Sequence, residues 1–323
     1  MTDWPVLPVP GWAETRPTLH RWTQILGKIR LALTPPVNHF WHSTLYVGTR
    51  GLTTSPIPYG SDLFEITFDF VDQELRIVTS WGPRRDLPLG PRSVADFYAD
   101  LMSALQDLGI DVHIWTKPVE IADRTPFDVD REHAAYDADA AHAFWRSLVQ
   151  VDRVFHQFRG RFLGKCSPVH FFWGGFDLAV TRFSGRRAPA YASAAPHVHP
   201  HVMHESYSHE VSSAGFWLGD EQSPPMFYSY TVPTPPEFHV QSVRPAQAGW
   251  FDPLGEFVLP YSSVQESVSP DATLLEFLQS TYDAAADTGH WDRELLEQQP
   301  SCSCTPAEIR AFEAFEGELN VRR

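Results

Sequence analysis

The chain has 323 residues and a formal net charge of −15, with 43% hydrophobic residues against 20% charged. An acidic surface repels phosphate, which argues against nucleic acid as a partner, and the apolar share excludes a disordered chain or a coiled coil. No run of about 18 apolar residues exists to form a membrane span, and residues 1–5 carry no basic segment leading into an apolar run, so no secretory signal is expected.

In chain order, residues 1–17 are Pro-rich and read as extended. Leu19, Trp22, Leu26, Ile29 and Leu33 recur at helical spacing, which predicts a helix over 18–33 stopped by Pro35 and Pro36. Residues 39–50 read as a strand, 51–60 as a loop, and 64–70 with 74–79 as a hairpin turning near Asp72 and Gln73. Ser93 caps a helix that carries Val94, Phe97, Leu101, Leu105 and Leu108 on one face. Residues 112–119 read as another strand, and the acidic stretch 122–137 as a linker.

A long helix follows over 138–162, then a strand over 168–183. Gly174 and Gly175 interrupt that strand, which signals a bulge or a close backbone approach. Residues 184–207 read as loop. Short strands are expected at 226–232 and 256–260, a helix over 270–287 opened by Ser269 and Pro270, and a short helix over 306–318 behind a capping-box spacing at Thr305 and Glu308. Three cysteines (Cys166, Cys302 and Cys304) form no disulfide framework and predict a reducing, cytoplasmic setting. Cys302 and Cys304 read as part of a solvated tail, with metal binding or oxidation as the alternative.

The two halves resemble each other. Pro36-Val37-Asn38-His39-Phe40-Trp41 aligns with Pro168-Val169-His170-Phe171-Phe172-Trp173, and the same offset pairs Thr49 with Thr181 and Arg50 with Arg182. Later, Phe97 aligns with Phe277, Ala104 with Ala284, Asp107 with Asp287 and Gly109 with Gly289. The expected fold is therefore α+β: two internally repeated helix–antiparallel-sheet–helix units packed as a pseudo-twofold pair. The units are placed at 1–121 and 138–291, joined by the linker 122–137 and followed by a tail at 292–323. The seam between related units is where a pocket is expected.

Several segments, among them LHRWTQILGKIRLAL, PPVNHFWHSTLYV, FRGRFLGKCSPVHFFWGGFDLAVTRFSGRRAP and YSHEVSSAGFW, are long and unusual. Through them most of residues 4–290 resembles a mainly bacterial family catalogued as domain of unknown function 5996. The resemblance implies no activity, cofactor or site residue.

Candidate chemistry comes from the residues themselves. His39, His42 and His170 lie among Trp and Phe, where an imidazole serves as a proton donor, a ligand or a hydrogen-bonded core residue. Asp177 interrupts an apolar strand and needs a partner if buried, with Arg50 the expected one. On the second strand Trp173, Asp177 and Thr181 share one face, and His170, Phe172, Leu178 and Arg182 the other. His209 beside Glu210, Ser212 and Ser213 suggests a proton-transfer group. His197, His199 and His201 would point the same way in an extended chain and offer metal ligands, or an adventitious surface site. The basic set Lys28, Arg30, Arg50, Lys165, Arg182 and Arg186 offers anion contacts or ordinary ion pairs.

The first functional reading is a binding protein or enzyme for a small polar or anionic metabolite at the inter-repeat seam. In it His39, His170, Asp177, His209 and Glu210 are the catalytic candidates, and Arg50, Arg182, Trp41 and Trp173 hold the ligand. A protein-interaction module without a pocket and a metal-binding protein using the His-rich loop are the alternatives. No cofactor and no oligomeric state is indicated.

Overall fold

The computed structural model describes residues 4–190, 198–220 and 222–298. Helix α1 (Trp12–Leu33) begins earlier than expected and contains Pro17. Its apolar residues Leu19, Trp22, Ile25, Leu26 and Ile29 have no exposed surface, but Thr18, His20, Arg21, Gln24 and Lys28 are buried as well. A helix enclosed on all sides must find partners for its polar side chains. Those partners are the carbonyl and amide groups of irregular chain around it.

The first half continues with a 3-10 turn (Asn38–Phe40) and strands β1 (Tyr46–Val47), β2 (Gly51–Thr53), β3 (Ile57–Tyr59), β4 (Asp62–Asp69), β5 (Glu74–Thr79) and β6 (Arg84–Pro88). They form an antiparallel sheet in the order β1-β2-β4-β5-β6, with β3 beside β4. Helix α2 (Val94–Asp107) starts where Ser93 accepts a hydrogen bond from the Asp96 amide. Period-two alternation puts Phe64, Ile66 and Phe68 of β4 on the inner face. Phe97 of α2 packs between Phe68 and Trp22, stacking on Trp22 at 4.4 Å.

Two expectations fail in this half. Residues 39–50 are not one strand: His39 and Phe40 have φ of 60° and 59°, and the Ser43 and Thr44 hydroxyls donate to the carbonyls of Phe40 and Trp41, closing turns instead. Residues 112–119 form no strand either. Gln24 satisfies both backbone groups of Val119, at 2.8 and 2.9 Å, and Lys28 donates to the carbonyls of Trp115 and Lys117 at 3.1 and 2.7 Å. Side chains of α1 thus do the work a neighbouring strand would do. The stretch 122–137 has no helix or strand but is well packed. Phe127 and Asp130 are buried, Arg21 pairs with Asp130 at 3.1 Å, and the Asp130 and His133 carbonyls accept from the first amides of α2.

The second half runs α3 (Ala138–Arg159), β7 (His170–Phe172), β8 (Asp177–Arg187), α4 (Pro200–Ser206), β9 (His209–Trp217), β10 (Met226–Val232), β11 (Gly249–Phe251), β12 (Glu256–Pro260), α5 (Tyr261–Gln265), α6 (Pro270–Thr288) and α7 (Arg293–Leu296). Its antiparallel sheet has the order β11-β12-β10-β9-β8-β7. The expected single strand over 168–183 is a hairpin that turns at Trp173–Phe176. Residues 184–207, expected as loop, supply the end of β8 and helix α4. Helices α3 and α6 cover one face of the sheet, against Leu178, Val180, Phe216, Phe227 and Leu259. The two sheets meet at one antiparallel bridge, where Leu45 and Phe171 exchange hydrogen bonds of 3.0 and 2.9 Å. The molecule is α+β with two antiparallel sheets and seven helices among the described residues. The expected helix over 306–318, with Cys302 and Cys304, lies outside them.

The Trp173 indole lies flat against α1 at Gly27, where an added Cβ would fall 2.0 Å from its Nε1, and that Nε1–H donates to the Ser43 carbonyl at 2.6 Å. Alanine in place of a helical glycine ordinarily stabilises by about 1 kcal/mol. Here overpacking dominates, and Gly27→Ala is expected to lower unfolding stability by roughly 1–3 kcal/mol in denaturant titrations. A gain would show that Trp173 does not depend on this contact.

Candidate functional site

A cavity of about 900 Å³ lies between the halves. Its floor is the face of the second sheet that helices α3 and α6 leave free. Alternation along β8 turns Asp177, Ala179, Thr181 and Phe183 toward it, while Leu178, Val180 and Arg182 face the core. Ser213 from β9 and Tyr228 and Tyr230 from β10 complete the floor. The first half contributes Lys28, His39, Trp41, Trp115 and Glu120, and α4 closes a side with Val202 and Met203.

Missing side chains build the polar end. Tyr228 reaches across β9 to hydrogen-bond the Asp177 carboxylate, and it crosses over Gly215, where a Cβ would lie 2.2 Å from the phenol. At the β7–β8 turn, a Cβ on Gly174 would lie 2.0 Å from Glu120 Oε1, and one on Gly175 would lie 2.8 Å from Asp177 Oδ1 and 3.7 Å from Glu120 Oε2. Two carboxyl groups therefore converge on space that only glycine leaves open. Glu120 itself has φ of 59°, a strained conformation for a residue with a side chain.

Burial acts on both acids. It raises the Asp177 carboxyl to about 6 against the opposing Tyr228 hydrogen bond. Burial, reinforced by the charge of Asp177, raises Glu120 to about 7 and Glu256 on β12 to about 7. Glu120 is exposed where it lines the cavity, so burial acts on it less fully than on Asp177. Beyond Tyr228 the hydroxyls continue in pairs, Tyr207 with Tyr230 at 3.0 Å and Thr181 with Ser213 at 2.9 Å.

At another wall His39 is neutral and its tautomer is fixed. Nδ1–H donates to the Glu205 and Ser206 carbonyls at 3.1 Å, and Nε2 accepts from Lys165 at 2.7 Å. Burial and the Lys165 charge lower its pKa. The Lys165 ammonium lies over the Phe183 and Trp41 rings at 4.6 and 5.2 Å. Lys28, enclosed between the Trp115 and Phe127 rings, is lowered to about 8 by burial and by Arg124.

Of the candidate catalytic, ligand-binding and metal residues, His39, Trp41, Trp173, Asp177 and His199 line the cavity, together with Lys28 of the basic set and Ser213. The others lie elsewhere. His170 is a core residue whose Nδ1 meets the Thr44 hydroxyl at 2.9 Å, and burial lowers it to about 3. Arg182 is buried at the opposite face of β8, donating to the Phe158 carbonyl and stacked on Phe158, Tyr282 and Phe162 at 3.5, 4.4 and 4.9 Å. Arg50 does not reach Asp177 as expected. It pairs on the surface with Asp69 and Asp72, at 2.5 and 2.7 Å, because it lies in the β1–β2 turn of the other sheet. His209 and Glu210 alternate to opposite faces of β9, and Glu210 is taken up by Arg186 and Ser184, at 2.6 and 2.9 Å. His199 and His201 do not share one extended run, since His199 caps α4 and His201 lies inside it. The His199 ring accepts from the His201 amide, while the His201 ring turns to Glu205 at 3.6 Å. His197 lies outside the described residues. Among these residues no group of three or more His, Cys, Asp or Glu side chains is disposed to hold a metal ion.

Sequence reasoning passed over Tyr228 and Glu120. The signal that points to them is the set of glycines at 174, 175 and 215, each replacing a side chain where another group must pass.

A raised carboxyl pKa has a defined sign in stability. Between the unfolded value of about 4 and the folded value of about 6, native Asp177 keeps a proton that the unfolded chain has released, so stability falls as pH rises through this window and is level above it. Relative to Asp177→Asn, the native protein is expected to lose roughly 1–3 kcal/mol between pH 4 and pH 7 in denaturant titrations, toward the lower end because the cavity side of the carboxyl is open. A difference that does not change with pH would show that Asp177 is ionised throughout.

The sequence model described as "Family of unknown function (DUF5996)" matches residues 4–298. No curated protein and no solved structure matches the chain. Over nearly its whole length, the chain belongs to this family of unknown function.

Proposed function

We propose that this protein binds a small molecule in the cavity between its two halves, and that the ligand is a flat, largely apolar compound with one polar group. The observation that carries this reading is the cavity itself: about 900 Å³, walled by aromatic rings from both halves, with its ionisable groups gathered at a few points. That distribution suits a ligand body held by ring contacts and a single head group oriented by hydrogen bonds. An anion clamp draws no support, since Arg50 and Arg182 are engaged away from the cavity. One observation favours proton transfer as well as binding: the Asp177 carboxyl titrates at about 6 and receives the Tyr228 phenol, which suits a general acid–base group working near neutral pH.

The seam also carries the proposed duplication. Each half runs helix, six-stranded antiparallel sheet, helix, and the bridge between Leu45 and Phe171 joins them beside the first strand of each sheet. Trp41 and Trp173, aligned in the sequence repeat, both line the cavity, which supports a pseudo-twofold origin for the pocket.

The neutral fluorophore N-phenyl-1-naphthylamine tests the binding reading. One equivalent is expected to bind with enhanced fluorescence, and Ala179→Trp, which fills the floor, to weaken binding at least about tenfold, or ~1.4 kcal/mol, with the circular dichroism spectrum unchanged. Equal binding by the two proteins would place the dye elsewhere and remove the reading.

A further inference from the structure

Resting on that reading of the cavity, we infer that its head-group subsite takes a basic nitrogen, a protonated amine or amidine, held between the carboxyl groups of Asp177 and Glu120. The inference starts from what surrounds the two acids. Asp177 receives the Tyr228 hydroxyl and no cation. Among the described residues no donor or cation reaches the Glu120 carboxyl, and the one charged group that acts on it is Asp177. Several acids elsewhere in this chain meet arginine. Asp69 meets Arg50 and Arg76, Asp130 meets Arg21, and Arg293 collects Asp283, Asp287 and Glu297. Glu120 has no such partner where it lines the cavity beside a second carboxyl, and it takes a left-handed backbone position there.

Two carboxyls this close, with no cation between them and one of them largely buried, repel each other when both are ionised. The pair asks for a partner that the chain does not provide. The space in front of the pair is large enough for a ligand, and the rings around it suit the face of a cation as well as an apolar body. The basic groups in and beside the cavity do not compete for the acids. The Lys28 ammonium is turned to the carbonyls of Trp115 and Lys117, and Lys165, which does not line the cavity, is turned to His39. The other titratable groups facing the pair are Tyr228 and Tyr230 on β10, Glu256 on β12 and His20 on α1. His20 points its Nε2–H at the Trp173 and Gly174 carbonyls, at 3.0 and 2.9 Å, and stays neutral. None of them supplies a positive charge.

Binding an ammonium requires the pair to be ionised at least once. With Asp177 at about 6 and Glu120 at about 7, part of the population is protonated at neutral pH, so binding of the cation expels a proton from the site to solvent. Affinity for an amine therefore rises with pH between 5.5 and 8, as long as the amine itself stays charged.

Three indoles with one body and different heads serve as probes: tryptamine, tryptophol and indole-3-acetate, titrated calorimetrically into the full chain at pH 8. Tryptamine is expected to bind at least about tenfold more tightly than the other two, the discrimination that a charged hydrogen bond gives. It is expected to release protons at pH 6.5, seen as a heat that changes between phosphate and Tris buffers. Asp177→Asn and Glu120→Gln, both close in shape to the native residues, are expected to abolish the preference with the circular dichroism spectrum unchanged. Equal or tighter binding of tryptophol or indole-3-acetate overturns the inference, as does a tryptamine preference that survives both substitutions. If the naphthylamine binds and the indoles are not distinguished, the head-group inference fails and the cavity reading stands. If the naphthylamine does not bind the cavity, both fail.

Discussion

The position of everything around the cavity depends on the polar stripe of α1. His20, Gln24 and Lys28 follow one another at intervals of four, so they line one side of the helix. Each bonds backbone groups outside the helix. His20 holds the carbonyls of the β7–β8 turn, Gln24 holds both groups of Val119, and Lys28 holds the carbonyls of Trp115 and Lys117. The turn belongs to the second half and the irregular segment to the first. A single buried helix thereby fixes both relative to each other, and with them Glu120 over Gly174. Irregular chain is ordinarily confined to the surface, since its amides and carbonyls need water. Here a helix stripe supplies the partners, and the segment becomes a wall of a cavity.

The same economy explains the asymmetry of the second sheet. One face of β8 is core, so firmly that it accommodates Arg182 by stacking it among three rings. The other face has no helix to cover it. Its middle is small or hydroxylated, with Ala179 and Thr181 on β8 and Ser213 on β9, and tyrosines follow on β10; a floor of that composition tolerates partial hydration where a layer of leucine would not. The acids at its end are raised from the usual carboxylate range by burial and, for Glu120, by the charge of Asp177, with no cation to oppose it.

Much of the architecture was legible from pattern alone. Strong periodicity located α1, α2, α3 and α6, and the alternation of β8 correctly separated Asp177 and Thr181 from Leu178 and Arg182. The glycine pair at 174 and 175 signalled a close approach, though not that the approaching group is a carboxylate from residue 120. The failures have physical causes. The stretch 39–50 alternates like a strand, yet local hydroxyl-to-carbonyl bonds and two left-handed residues turn it. The stretch 112–119 carries a strand's composition, but its backbone partners are side chains far away in sequence. Central strand β9, rich in Ser, Ala and Gly, has little strand propensity of its own and is set by β8 and β10 on either side. Charge alone misled on the arginines, because an arginine stacked in the core and one at a ligand look alike in a sequence.

Gly27, Gly174, Gly175 and Gly215 each mark a point where a side chain is absent so that a specific group can pass: an indole, two carboxyls and a phenol. Small residues of this sort usually go unnoticed when related sequences are compared, because attention falls on the charged and aromatic ones. In this architecture they work as a lock whose pins are empty positions. A related chain that retains the tyrosine and both acids but bears a side chain at the positions of Gly174 or Gly215 would have the same apparent inventory and a different pocket. Sorting relatives by these vacancies, rather than by their reactive groups, separates those able to assemble the acidic pole from those that only spell it.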